Sequence, residues 1–79
     1  MKKNGDFEFG DVVTKNGDDE HLVLQVTNQE WNLITIICIK EPPGGWTKVG
    51  ELDDVIGDRY QFVSKMINPE KIVKRYQES

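Results

Sequence analysis

One run of ten residues, 31–40, constrains the fold more than any other part of the chain. Its apolar side chains alternate onto both sides of an extended backbone, and they are Leu33, Ile34, Ile36, Ile37, Cys38 and Ile39. A strand that is apolar on both faces is central in its sheet, or it bends until both sides meet a core. In a chain of 79 residues, a strongly bent strand in a closed barrel satisfies this pattern most economically. The organisation of the whole chain, about five short strands and then one helix, is typical of a small, partly open barrel.

Shorter patterns on either side of this run predict the other elements. We expect a first strand over residues 7–14 with a bend at Gly10, a second over 21–27, a short fourth over 46–49 and a fifth over 59–64. Residues 50–58 are interpreted as an acidic loop, where one helical turn would carry Leu52, Val55 and Ile56 inward. Asn68 followed by Pro69 predicts a helix over 69–77. The interpretation is one domain, 1–79, with a barrel over about 7–64.

Composition and charge narrow the function classes. The longest apolar run is 36–39, too short to span a membrane. The single cysteine suits a reducing compartment, and we expect a cytoplasmic protein. Residues 1–64 carry 6 basic against 12 acidic side chains, whereas residues 65–79 carry 4 against 2. Because binding to a phosphate backbone needs a positive face, the acidic body favours a protein partner over nucleic acid.

Three segments resemble parts of known proteins. Residues 9–13, Phe-Gly-Asp-Val-Val, resemble the first strand of Src-homology-three-like barrels. Residues 45–51 and 59–63 are similar to short proteins of unknown function from bacteria and bacteriophages. The resemblance implies a mainly β, five-stranded Src-homology-three-like barrel with a short C-terminal helix, in a phage or prophage setting. It implies no catalytic residue and no ligand.

Candidate catalytic and metal-binding groups are few. His21 and Cys38 can meet across paired strands, but a cysteine within an apolar run is usually buried and inert. We therefore expect a core cysteine beside a solvent-facing histidine, and we assign no catalytic residue, metal or cofactor. The acidic segment lacks the ligand spacing of a calcium loop, since Val55 and Gly57 occupy ligand positions.

The predicted contact surface combines an aromatic loop with an acidic rim. Trp46 follows a loop of prolines and glycines, so it either covers the end of the core or is an exposed anchor for a partner. Trp31 has the same two alternatives, and its position in a strand favours the core. We expect an unidentified protein to bind a monomer or weak homodimer through Pro43, Trp46, Glu51, Asp53, Asp54 and Asp58.

Two alternatives use the charges differently. In the first, the compact acidic body is an inhibitor that occupies the nucleic-acid-binding groove of a host protein. In the second, the barrel itself binds nucleic acid through the basic C-terminal residues Lys71, Lys74 and Arg75. The more common role of such a run is the solvated face of an amphipathic helix.

Overall fold

The computed structural model describes residues 7–77, without the side chains of residues 76 and 77. Within these described residues, five strands and two helices follow one another. They are β1 (Asp11–Thr14), β2 (Glu20–Asn28), β3 (Leu33–Lys40), β4 (Leu52–Ile56), a 3-10 helix (Gly57–Arg59), β5 (Gln61–Lys65) and α1 (Pro69–Gln77). The mainly β class, the five strands and the C-terminal helix are confirmed.

All five strands belong to one antiparallel sheet in the order β4-β3-β2-β1-β5. β3 lies between β4 and β2 and is therefore an internal strand of the sheet. This position agrees with the apolar side chains on both of its faces. β4 and β5 are the two edges, and within residues 7–77 they are not paired with each other. The sheet is therefore open rather than closed into a barrel.

Each face of the sheet carries a buried hydrophobic cluster. On the inner face a cluster of buried side chains packs together, with Val26 and Val55 against it: Phe7, Val13, Val23, Ile34, Ile36 and Tyr60. On the outer face Val12, Leu22 and Ile37 form a second cluster. Ile72 and Val73 of α1 pack against this second cluster, so the short helix is stabilised by docking. The sequence pattern also predicts Tyr76 on one apolar stripe of this helix with Ile72 and Val73, and the Tyr76 side chain lies outside the described ones.

β2 does not keep one face along its whole length. Simple alternation predicts Leu22, Leu24 and Val26 on the same side. The pairing with β3 shifts between Val23 and Gln25, and a bulge of this kind moves the following side chains to the other face. Leu24 accordingly packs with the outer cluster and Val26 with the inner one.

The prediction for residues 46–58 is wrong in both parts. Residues 46–49 form no strand, and the strand lies at Leu52–Ile56, where an acidic loop was expected. Backbone bonds between Cys38 and the segment 50–51 start the pairing: the Cys38 N–H donates to the Glu51 carbonyl and the Gly50 N–H donates to the Cys38 carbonyl. Of the three side chains expected to turn inward, only Val55 reaches the core. Leu52 and Ile56 are exposed.

Candidate binding surface

One exposed polar feature of the sheet is the acidic edge, which we define as β4 with Glu51. Among residues 7–77, β4 is hydrogen bonded on one side, to β3, and four of its five residues are exposed. Asp53 lies opposite Ile36 and therefore belongs to the inner face, whereas Asp54 lies opposite Thr35 on the outer face. The two carboxylates consequently stand on both sides of one strand edge.

The predicted acidic residues accept hydrogen bonds from different donors. Asp54 accepts a hydrogen bond from the Thr35 hydroxyl at 2.5 Å. Glu51 accepts one from the Lys48 backbone N–H at 3.2 Å. Asp58 accepts one from the Asn32 side-chain amide at 2.5 Å, which ties the 3-10 helix to the turn between β2 and β3. No cation of the described chain forms an ion pair with Glu51, Asp53, Asp54 or Asp58.

Apolar side chains and a shallow groove accompany these charges. Leu52 is 61% exposed and Ile56 is 44% exposed, and both lie on the outer face with Asp54. A groove of about 530 Å³ runs beside them across three strands, lined by Gln25, Thr27, Thr35, Leu52, Asp53 and Asp54. The edge therefore offers a partner both apolar surface and negative charge.

The structure places the aromatic loop beside the turn between β1 and β2. Pro42 is buried and Pro43 is exposed. The Trp46 ring lies 5.5 Å from the His21 ring, between centroids, and the Lys15 ammonium lies 5.0 Å from the Trp46 centroid. Since 43% of Trp46 is exposed, this side chain packs against the buried His21 ring with one part and faces solvent with the other.

Trp31 was expected in the core, and that expectation is wrong. It precedes β3 in the turn from β2 and is 68% exposed. Asn28 accepts a hydrogen bond from the Trp31 backbone N–H, and Asn32 adopts a left-handed φ of 55°. Trp31 therefore belongs to the turn at residues 28–32 and not to β3. Its indole lies outside the inner and the outer hydrophobic clusters.

The structure corrects the prediction of a solvent-facing histidine. His21 is buried, and its Nε2 lies 2.6 Å from an oxygen of the buried Asp19. Asp19 also accepts hydrogen bonds from the Thr14 hydroxyl and from the backbone N–H groups of Lys15 and Asn16. Burial raises the pKa of the Asp19 carboxyl, but these hydrogen bonds outweigh it, so that its pKa is lower than usual.

Cys38 lies directly opposite His21 in the sheet and is buried, as predicted. Its thiol donates to the Lys40 carbonyl oxygen at 3.5 Å. Burial raises the pKa of the Cys38 thiol in spite of its hydrogen bonds with Thr47 and Lys40. A protonated, enclosed thiol is a poor nucleophile. The geometry of Asp19, His21 and Cys38 therefore supports a structural role. Inside the core the His21 imidazole is hydrogen bonded to Asp19, and the Cys38 thiol is hydrogen bonded to the Lys40 carbonyl.

Other chemistry-bearing groups are dispersed. In the part of the chain that the structure describes, no three His, Cys, Asp or Glu side chains are grouped to hold a metal ion. Lys71, Lys74 and Arg75 are exposed on α1, while Ile72 and Val73 face the sheet. No helix within residues 7–77 has the length and apolar character needed to span a membrane.

Comparison with family models, with curated proteins and with solved structures finds no match to this chain. The resemblance to bacterial and bacteriophage proteins therefore stays a prediction from the sequence. The surface described above carries the functional argument.

Proposed function

We propose that the protein is a non-catalytic binding module that takes up a basic, extended segment of another protein along the acidic edge. One observation carries this proposal: β4 is an exposed edge strand whose adjacent acids, Asp53 and Asp54, have no ion-pair partner among residues 7–77.

The backbone of an edge strand supplies the affinity. Such a strand presents a row of unpaired N–H and C=O groups, and an extended segment that adds to the sheet satisfies them. Side chains of the added strand then alternate between the two faces. On the outer face they meet Leu52, Asp54 and Ile56, beside the groove, and on the inner face they meet Asp53 and Val55.

The charges select the partner. Two copies of β4 paired antiparallel about their centre would bring Asp54 against Asp54, and like charges directly opposite are destabilising. The edge thus disfavours its own copy, which supports a monomer, and it favours basic side chains. Opposite Leu52–Ile56, the fitting segment has an apolar residue, two adjacent basic residues and two further apolar residues.

The loop residues Pro43 and Trp46 form a second contact region in this proposal. Both have exposed surface, and Trp46 is braced by His21 and Lys15. A braced, half-exposed indole loses little conformational freedom on binding, which is typical of interface anchors.

A blocked peptide tests the proposal. The probe has two adjacent arginines flanked by valines, is acetylated and amidated at its ends, and is titrated at low salt by calorimetry. Asp53→Asn combined with Asp54→Asn is expected to weaken binding about tenfold, because two partly exposed ion pairs are lost.

The matched control removes the same charge elsewhere. Asp18 and Glu30 are both exposed and lie outside the acidic edge, so Asp18→Asn with Glu30→Gln is expected to leave the affinity nearly unchanged. Equal weakening in both double variants would show unspecific attraction to an acidic body, and an absence of binding would refute the proposal.

A second candidate is the acidic inhibitor, which the uncompensated charges of Asp53 and Asp54 also favour. In that function the carboxylates take the place of phosphates in a groove of a host protein. The distinguishing measurement is competition: the inhibitor displaces nucleic acid from a basic host protein, and a blocked arginine peptide does not restore binding at equal concentration. Retardation of nucleic acid by the protein itself would instead support the helix cations Lys71, Lys74 and Arg75.

The proposed setting is the cytoplasm, as an accessory protein of a phage or prophage. The single buried thiol of Cys38 supports a reducing compartment. The phage setting rests on the sequence resemblance alone.

A further inference from the structure

A small cavity lies at the C-terminal end of the acidic edge. Its volume is about 190 Å³, and it is lined by Lys15, Val55, Ile56, Arg59 and Tyr60. Sites for drug-sized ligands begin at roughly 300 Å³, so this cavity has room for one side chain or chain terminus. Its walls combine apolar surface with two cations, in a protein whose net charge is -4.

Both cations are available to a ligand. Within residues 7–77 neither Lys15 nor Arg59 forms an ion pair. The Lys15 side chain is held over the Trp46 ring at 5.0 Å, a contact that positions the ammonium group without neutralising it. Arg59 ends the 3-10 helix, three residues after β4.

The charge therefore changes sign along the acidic edge. The carboxylates of Asp53 and Asp54 lie within β4, and the two cations lie at the cavity beside Ile56. We infer that the bound segment is the C-terminal tail of its protein, parallel to β4, with its terminal carboxylate between Lys15 and Arg59. This inference rests on the proposed function. A strand added parallel to β4 ends at the same end as β4, whereas an antiparallel one would bring its N-terminal end toward the cations.

The register agrees with the side-chain pattern. Basic residues opposite Asp53 and Asp54 are followed by two apolar residues, and the chain then ends at the cavity. The last apolar side chain contacts the walls formed by Val55, Ile56 and Tyr60. The carboxylate receives charge-assisted hydrogen bonds, which are stronger than those of a neutral amide.

Two peptides that differ only at the C-terminus test the inference. Each has the arginine pair followed by two valines, one with a free carboxylate and one amidated. The free acid is expected to bind about tenfold more tightly, since its carboxylate accepts charge-assisted hydrogen bonds that are stronger than those of the neutral amide. In Lys15→Gln combined with Arg59→Gln, the two peptides are expected to bind equally.

The control variant is Lys71→Gln with Lys74→Gln, which removes two exposed cations from α1 and should preserve the preference for the acid. If both peptides bind the wild-type protein equally, the inference fails and the proposed function stands. If neither binds, both fail. Dispersed amide spectra of each variant establish that it is folded.

Discussion

Replacement of Asp19 by asparagine tests how the buried polar group supports the sheet. One carboxylate oxygen receives the Thr14 hydroxyl and the Asn16 N–H, and the other receives the Lys15 N–H and His21. In either orientation of the amide, its NH₂ group faces one of the two backbone N–H groups. Asp19→Asn therefore leaves a buried donor without an acceptor and removes the charge.

We expect a loss of about 3 kcal/mol in the free energy of unfolding, the order of one or two hydrogen bonds to a charged group. A protein of this size is stable by roughly 4–12 kcal/mol, so the variant still folds. With a urea m-value of about 1 kcal/mol/M, the midpoint falls by about 3 M. Tryptophan fluorescence reports the transition because Trp46 packs against His21.

Asp18 provides the matched control. It precedes Asp19 and is exposed, so Asp18→Asn makes the same chemical change at the surface and is expected to alter stability by less than about 0.5 kcal/mol. Equal urea midpoints for the two variants would refute the structural role assigned to Asp19.

The acid limb of the stability curve gives an independent readout. The pKa of Asp19 is lower in the folded protein than its usual 3.8, so the stabilisation is complete above about pH 4 and is lost as the pH falls through the folded value. The stability difference between wild-type protein and Asp19→Asn should therefore shrink below pH 4. A difference that is constant down to pH 2 would contradict the assigned hydrogen bonds.

Three further predictions concern the core. Leu22→Ala removes a fully buried side chain and should cost about 2–5 kcal/mol, whereas Leu52→Ala, at an exposed position, should cost less than about 0.5 kcal/mol; equal losses in urea titrations would contradict the assigned faces. Burial, followed by nearby negative charges, raises the pKa of Tyr60 to about 12, so the fold loses stability as the pH rises from about 10 to about 12. Ultraviolet titration should show a late phenol that is absent in Tyr60→Phe, and titration of every phenol near 10 would disagree with its burial. The Cys38 thiol should react with a thiol-specific disulfide reagent only as fast as the protein unfolds, and rapid modification of the native protein would show an accessible thiol.

Two elements were predicted correctly from local signals of different kinds. β3 was found from its isoleucines, and α1 from Asn68 and Pro69 at its start, where Asn68 adopts a left-handed φ of 58°. Asparagine tolerates that conformation better than most residues. In these segments local preference and tertiary packing agree.

β4 was missed because its local preference opposes its structure. Aspartate is depleted in strands, and Asp53 with Asp54 gives the segment the composition of a loop. Pairing with β3 over five residues overrides that preference, and this pairing depends on contacts distant in sequence. Asp53 and Asp54, which led to the prediction of a loop, are also the residues that bind the basic partner in our proposal.

The burial of His21 was missed although the sequence contained a signal. Asp19 and His21 are two residues apart, so an extended backbone places them on one face, and a carboxylate there can satisfy a buried imidazole. The exposure of Trp31 carried no such signal, because it depends on where the turn after β2 ends.

Amide chemical-shift mapping with the blocked arginine peptide tests the central claim most directly. If the acidic edge binds the segment, the largest changes fall on residues 52–56 and on the groove residues Gln25, Thr27 and Thr35, and in the Asp53→Asn, Asp54→Asn variant they require about tenfold more peptide. Changes centred on α1 or on Trp31, with residues 52–56 unmoved, would contradict it.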